Sequence, residues 1–253
     1  MKEKAISSSV ANGNTVHLLL QGKGGVGKSL IASILAQYLM SRGNSVQCID
    51  TDPVNRTLTQ YQALNAQPLK LLREGGIDQR GFDALMEVIL TTPEGTFVVD
   101  NGASTFIPLW NYILENSVGS LFREAGKRLC VHTVITGGQA LGDTLKGFAE
   151  LASTTSDRSI VIWLNEFFGR IEDNGKTFVE MAVCKENEHK IMGSIAVPKR
   201  NQDTFGRDME EMIARKQTFE EAIKSGNFSI MTKQRLKVVQ RDLFEQLDAL
   251  SMV

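Results

Sequence analysis

The chain has 253 residues, 42% of them hydrophobic and 23% charged, with a formal net charge of −1. This length and composition can bury a substantial core and exclude disordered and fibrous classes; the near-neutral balance excludes a general basic field, so nucleic-acid binding would need a local patch. Three cysteines, Cys48, Cys130 and Cys184, lie far apart without CxxC spacing, which argues against a disulfide framework and a zinc site.

The opening MKEKAISSSVANGN is polar, reads as a flexible leader over 1–14, and carries no apolar signal-peptide core. No apolar run reaches the length of a bilayer span, so a cytoplasmic protein is expected. TVHLLLQ then reads as a short strand ending in a glycine loop. After it Leu30, Ile31, Ile34, Leu35, Tyr38 and Leu39 recur at helical spacing, with Arg42 in the last turn and Gly43 as C-cap. SVQCIDTDP is a second strand, stopped by Pro53. Next come a helix (FDALMEVIL), a strand and loop (TFVVDNGAS), a helix (FIPLWNYILENS), a buried strand (RLCVHTVITGG) and a helix (ALGDTLKGFAELAS). SIVIWLNE and HKIMGSIAVP read as further strands, and the chain is helical from about Asp203.

Apolar strands alternating with amphipathic helices predict an α/β fold: three layers, a mostly parallel sheet with helices on both faces. One P-loop nucleotide-binding domain is expected over 1–253, with C-terminal helices over 203–253. Ligands of such sheets bind beyond the carboxyl ends of the strands, where Gly22, Asp50, Asp100, Thr136, Asn165 and Pro198 stand.

Gly22-Lys23-Gly24-Gly25-Val26-Gly27-Lys28-Ser29 satisfies GxxxxGK[ST] between a strand and a helix, and Leu30 continues into that helix. The glycines let backbone N–H groups turn toward phosphates, and the helix N-terminus adds its positive dipole end. Lys28 would reach the β and γ phosphates, and Ser29 would place its hydroxyl on Mg²⁺. Asp50 and Asp52 flank Thr51 and project to one side of an extended chain, toward the magnesium end of the loop. Asp100 closes the run Phe97-Val98-Val99, the place of the acid that holds Mg²⁺ through water in P-loop NTPases. The bland alternatives are a ligand-free glycine turn, a turn-forming Asp52-Pro53 and an ordinary strand-end aspartate.

KGGVGKS resembles the deviant Walker A box of the MinD, ParA and nitrogenase iron protein superfamily. The resemblance implies that Lys23 acts in trans on the α and γ phosphates of a partner subunit, ATP joining two monomers face to face. It also makes CIDTDP a switch I, with Asp50 organising magnesium waters and Asp52 orienting the attacking water. VVDNGAS becomes the Walker B and switch II segment, with Asp100 and Gly102 at matching positions. Asn165 resembles the asparagine that reads the adenine edge, and Pro198 falls where the family closes the adenine pocket. This match covers roughly Val16 to Lys199. Along nearly the whole chain, QGKGGVGKS, CIDTDPVN, DNGAS, HTVITGGQAL, GRD and IMTKQRLKVVQRDLFEQLDAL resemble the TraL family of conjugative plasmids.

That resemblance implies a plasmid-encoded ATPase using ATP/ADP and Mg²⁺, tied to conjugative transfer or plasmid maintenance. Its expected partners are a second copy of itself and a protein of the conjugation or partition machinery. Departures are visible: Asn101-Gly102-Ala103-Ser104 stands where many relatives have prolines, Glu166 follows Asn165 in place of a basic residue, and Asn55 arrives one residue early and is left out of the site.

Near the C-terminus Leu236, Val239, Leu243, Leu247 and Leu250 form one helical stripe. With Lys233, Arg235, Lys237 and Arg241 nearby it could touch a membrane or DNA. Packing on the sheet is favoured, because Asp242, Glu245 and Asp248 interrupt the basic face. His132, Trp110 and Trp163 read as core residues, with Trp110 near switch II as an interface alternative. Ser104 and Cys48 lack a neighbouring His-Asp arrangement that would make them nucleophiles.

Overall fold

A computed structural model describes residues 13–73 and 76–250, so the leader up to residue 12 and residues 251–253 lie outside the described residues. The elements run β1 (Thr15–Leu19), α1 (Lys28–Ser41), β2 (Val46–Asp50), β3 (Gln67–Pro68), β4 (Leu72–Arg73), β5 (Gly76–Ile77) and α2 (Arg80–Thr91). They continue with β6 (Thr96–Asp100), α3 (Phe106–Glu115), α4 (Val118–Glu124), β7 (Arg128–Thr136), α5 (Leu141–Thr154), β8 (Ile160–Asn165), β9 (Glu172–Asp173) and β10 (Lys176–Thr177). The last are α6 (Ala182–Glu186), β11 (Ile191–Val197), α7 (Arg207–Ala214), α8 (Phe219–Lys224) and α9 (Ile230–Ala249).

Seven strands form one sheet in the order β11-β8-β7-β1-β6-β2-β3, every pairing parallel. Because side chains alternate across a strand, Val16, Leu18, Phe97, Val99, Val131 and Ile135 face one layer. There they meet Phe82, Leu85, Leu109, Phe148 and Leu151 of α2, α3 and α5. Leu19, Val98, Cys130 and Val134 face the other, against Ile31 and Leu35 of α1 and Leu243 and Leu247 of α9. This is the three-layer α/β architecture that the alternating pattern predicts. Each fully buried Leu, Ile or Phe contributes roughly 1.5–3 kcal/mol, and burial on both faces explains why these strands are apolar along their length.

The expected elements recur within a few residues of their predicted bounds. The stretch after Pro53 is an addition: it carries two short 3-10 turns and the two-residue edge strand β3, too short to leave a period in the sequence. The helical tail divides into α7, α8 and α9, the first preceded by a π-helical turn over Gln202–Gly206.

The α9 stripe packs on the sheet, with Leu236, Val239, Leu243 and Leu247 buried. Two of the interrupting acids are its anchors, Asp242 paired with Arg200 at 2.6 Å and Asp248 with Arg42 at 2.6 Å. Trp110 and Trp163 are buried, and Trp110 Nε1 donates to Thr154 Oγ1 at 2.8 Å. All three cysteines are free and buried. Among the described residues no helix is long and apolar enough to cross a membrane.

Candidate functional site

The central strand β1 runs into the glycine loop, and the loop delivers α1. Gly25 and Gly27 have φ of +74° and +95°, a region where a Cβ is strained. Gly27 is the N-cap of α1, whose first turn has neither an acid nor a side-chain cap. Its N–H groups are therefore left for an anion. Lys28 is buried, with Nζ donating to the Lys23 carbonyl at 3.0 Å. Burial pushes its ammonium below the usual lysine range, while Asp100 and Asp52 oppose the shift.

The strand order places the acids. Parallel register sets Asp100 beside Leu19 on β1 and beside Asp50 on β2, so both carboxylates arrive at the start of the loop. Asp100 is 1% exposed, and neither of its carboxylate oxygens meets hydrogen-bond geometry with a partner, although the Ser29 hydroxyl stands close by. Burial pushes its pKa up to about 7, with the Ser29 hydroxyl and Lys28 pulling it back down and Asp50 and Asp52 pushing it further up. A buried carboxylate without a partner is costly, and beside a hydroxyl and a second carboxylate it has the oxygen donors a hard cation takes. Asp50 is also buried; its oxygens accept from Asp52 N at 3.0 Å and Thr59 N at 3.2 Å. Burial raises its pKa, and these backbone bonds limit the rise.

Asp52 lines a cavity of about 590 Å³ together with Gly24, Gly25, Gly27, Lys28 and Ser29. Its Oδ1 accepts from Val54 N at 2.8 Å and Asn55 N at 3.0 Å, and its Oδ2 from Asn55 Nδ2 at 3.2 Å. It therefore caps its own loop as well as lining this cavity, so the turn-forming and cavity-lining readings fall on the same side chain. A Cβ on Gly102 would lie 2.9 Å from Asp52 Cγ. Glycine at 102 thus serves close approach of the two loops, since its φ of −64° suits any residue. Asn101 is buried and accepts from Thr51 Oγ1 at 2.9 Å and Thr105 Oγ1 at 2.7 Å, tying the loops together.

On the other side of β1, register pairs Asn165 with Thr136 and Val197. Asn165 and Pro198 line a second, apolar cavity of about 700 Å³ that reaches Gly25, Gly27 and Leu30. The Asn165 amide is engaged: Nδ2 donates to Val26 O at 3.0 Å, and Oδ1 accepts from Phe167 N at 3.2 Å. Val26 contributes its backbone here, its side chain being core. Gly22 is exposed at the start of the loop.

The Lys23 side chain stands apart from these groups. It does not line the phosphate cavity of its own chain, and its Nζ lies 2.8 Å from Asp143 Oδ2 at the start of α5, both side chains about half exposed. Sequence reasoning also missed residues that line the phosphate cavity: Asn55, set aside on its offset, and Tyr61, Ile213 and Lys216. Asn55 and Tyr61 follow Asp52 closely in the chain, whereas Ile213 and Lys216 arrive from α7 and the residues just after it.

The CobQ/CobB/MinD/ParA nucleotide binding domain family matches residues 18–230. Two Protein TraL sequences from Escherichia coli are similar: one is 47% identical over 94% of this chain and 99% of its own length, the other 46% over 92% and 97%. The chain belongs to the TraL family. Among solved structures, the MinC:MinD cell division complex of Aquifex aeolicus matches with a TM-score of 0.57 at 14% identity, covering 93% of this chain and 96% of that one. A putative plasmid partition protein of Borrelia burgdorferi bound to AMPPNP matches with a TM-score of 0.52 at 20% identity, covering 93% and 99%. At these identities the likeness shows the α/β fold alone; it is the family match over residues 18–230 that makes this TraL-family chain a nucleotide-binding domain.

Proposed function

We propose that the chain acts as one nucleotide-binding domain, a Mg²⁺-dependent, slowly ATP-hydrolysing switch that dimerises on ATP in the cytoplasm. Its output would be conjugative transfer or plasmid maintenance, through a protein of that machinery. The single observation that carries the reading is Asp100, a buried carboxylate with both oxygens unpaired, next to Ser29 and Lys28 at the mouth of a left-handed glycine loop.

In this reading Ser29, Asp50 and Asp100 would hold Mg²⁺, which when bound neutralises charge on the β and γ phosphates. The loop N–H groups and Lys28 bind those phosphates, already positioned before the ligand arrives. Asp52 orients water from the loop after β2. Asn165 and Pro198 receive the adenine base, the amide of Asn165 exchanging its Val26 contact for the base edge. Lys23 leaves Asp143 and completes the partner subunit's site, which explains a loop lysine that turns away from its own phosphate cavity. Light scattering with ATP, ADP and no nucleotide tests the dimer: wild type should double in mass with ATP alone, and Lys23→Ala should stay monomeric. Equal masses in all six samples would sink the trans role.

A second reading has an observation of its own. Asp52 is held by Val54 and Asn55, which suits a nucleotide-dependent protein-binding module with negligible hydrolysis. Phosphate release by wild type and Asp52→Ala separates the two, since equal near-zero rates favour the module. ParA-like DNA binding has no such support here, because two of the basic residues of α9 are already paired, Arg235 with Asp208 and Arg241 with Asp242.

A further inference from the structure

The phosphate cavity and the apolar cavity meet at five shared residues: Gly25, Gly27 and Leu30 on one side, Ile213 and Lys216 on the other. A nucleotide with phosphates on the glycine loop and base in the apolar cavity must cross this junction with its ribose and α-phosphate. Lys216 is the one charged side chain common to both linings.

Its backbone is unusual for a lysine. Lys216 follows the end of α7 with φ of +53°. Lys216 N donates to Ile213 O at 3.0 Å and Gln217 N to Met212 O at 3.1 Å. These two bonds make the helix-ending motif whose left-handed position is ordinarily glycine. A long side chain there strains the backbone, and strain kept at a cavity wall points to a task for the side chain. The ammonium is also uncommitted: it lies 5.9 Å from the Tyr61 ring centroid, and no carboxylate pairs with it among the described residues. Lys23, by contrast, is taken by Asp143.

We propose that Lys216 is a same-chain nucleotide contact, its ammonium binding the α-phosphate where the ligand passes from the glycine loop to the base cavity. The inference rests on the nucleotide-binding reading above and adds a cation to it from the C-terminal helices. α7 then touches the ligand directly, which couples the α7–α9 layer to nucleotide occupancy.

The test uses the full chain and calorimetric titration with ADP and with adenosine, for wild type, Lys216→Gly and Lys216→Arg, alongside thermal melts. Glycine relieves the left-handed strain, so Lys216→Gly should melt at or above the wild-type temperature. It should nonetheless bind ADP about tenfold more weakly, the loss of one charge-assisted contact, with adenosine affinity unchanged. Lys216→Arg should keep ADP affinity within about threefold of wild type. If Lys216→Gly binds ADP as wild type does, or loses adenosine in proportion, the contact is not to phosphate and this inference falls alone. If wild type itself binds no ADP, the nucleotide reading falls with it.

Discussion

At the scale of single residues, the most constrained group away from the loop is a buried histidine pair. Trp163 Nε1 donates to His132 Nδ1 at 3.0 Å, and His132 Nε2 lies 2.9 Å from His17 Nδ1. Indole only donates, so the His132 proton sits on Nε2 and goes to His17, leaving the His17 Nε2 proton buried without a partner. Cys130 brings a third donor atom within 4.8 Å. In this tautomer His132 has no free lone pair for a metal, so the chain of hydrogen bonds is a core feature. Burial holds both rings neutral, His132 at about 3 and His17 well below its usual value, with His132 and Arg128 lowering His17 further. Unfolding therefore takes up protons once pH falls below about 6.5, and stability falls with pH down to the folded values. In urea titrations at about pH 7.5 and about pH 5.5, wild type should lose about 1.4 kcal/mol more than His132→Gln, which has one such group fewer. Asp100 titrates in both proteins and cancels.

At the scale of elements, the loops after β2 and β6 behave as one unit. Asp52 lies against Gly102, and Asn101 joins Thr51 to Thr105. A methyl group at 102 has acceptable backbone angles but overlaps Asp52, so Gly102→Ala must displace the loop that carries the proposed water-orienting carboxylate. Saturating phosphate-release assays should fall on the order of a hundredfold, the scale of a small misplacement at a reacting centre. Nucleotide affinity should stay near wild type, because the glycine loop and Lys28 are untouched. Loss of affinity without loss of turnover would contradict this division of labour between the loops.

At the scale of the whole molecule, the orientation of Lys23 bears on the proposed dimer. A subunit holds Lys28, Ser29, Asp50, Asp52 and Asp100 at one mouth of the sheet, while Lys23 points out to Asp143. The exposed Lys23–Asp143 pair is weakly stabilising at most, so a stronger anion can claim the lysine. Turnover per subunit should therefore rise with protein concentration and level off once dimers dominate. Turnover that stays flat across the monomer–dimer range would mean that the site is complete within one chain.

By itself the sequence determined the glycine loop between a strand and a helix, the alternation of strands and helices, the acids at strand ends and the burial of the α9 stripe. These are local properties: a glycine pattern, a two- or 3.6-residue period, and a stop signal after each strand. The tertiary structure alone decided which strand ends become neighbours, because order in a parallel sheet is set by crossover connections that leave no local trace. Insertion of β1 between β6 and β7 brings Asp100 to the glycine loop, and register then adds Asp50 on one side and Asn165 with Pro198 farther along the other. The same long-range packing delivered Lys216 to the cavities and tied up Lys23 and Asn165 in contacts that no spacing rule encodes, whereas Asp52 is held by its own turn. Chemistry was legible where it depends on neighbours in the chain, and hidden where it depends on neighbours in space.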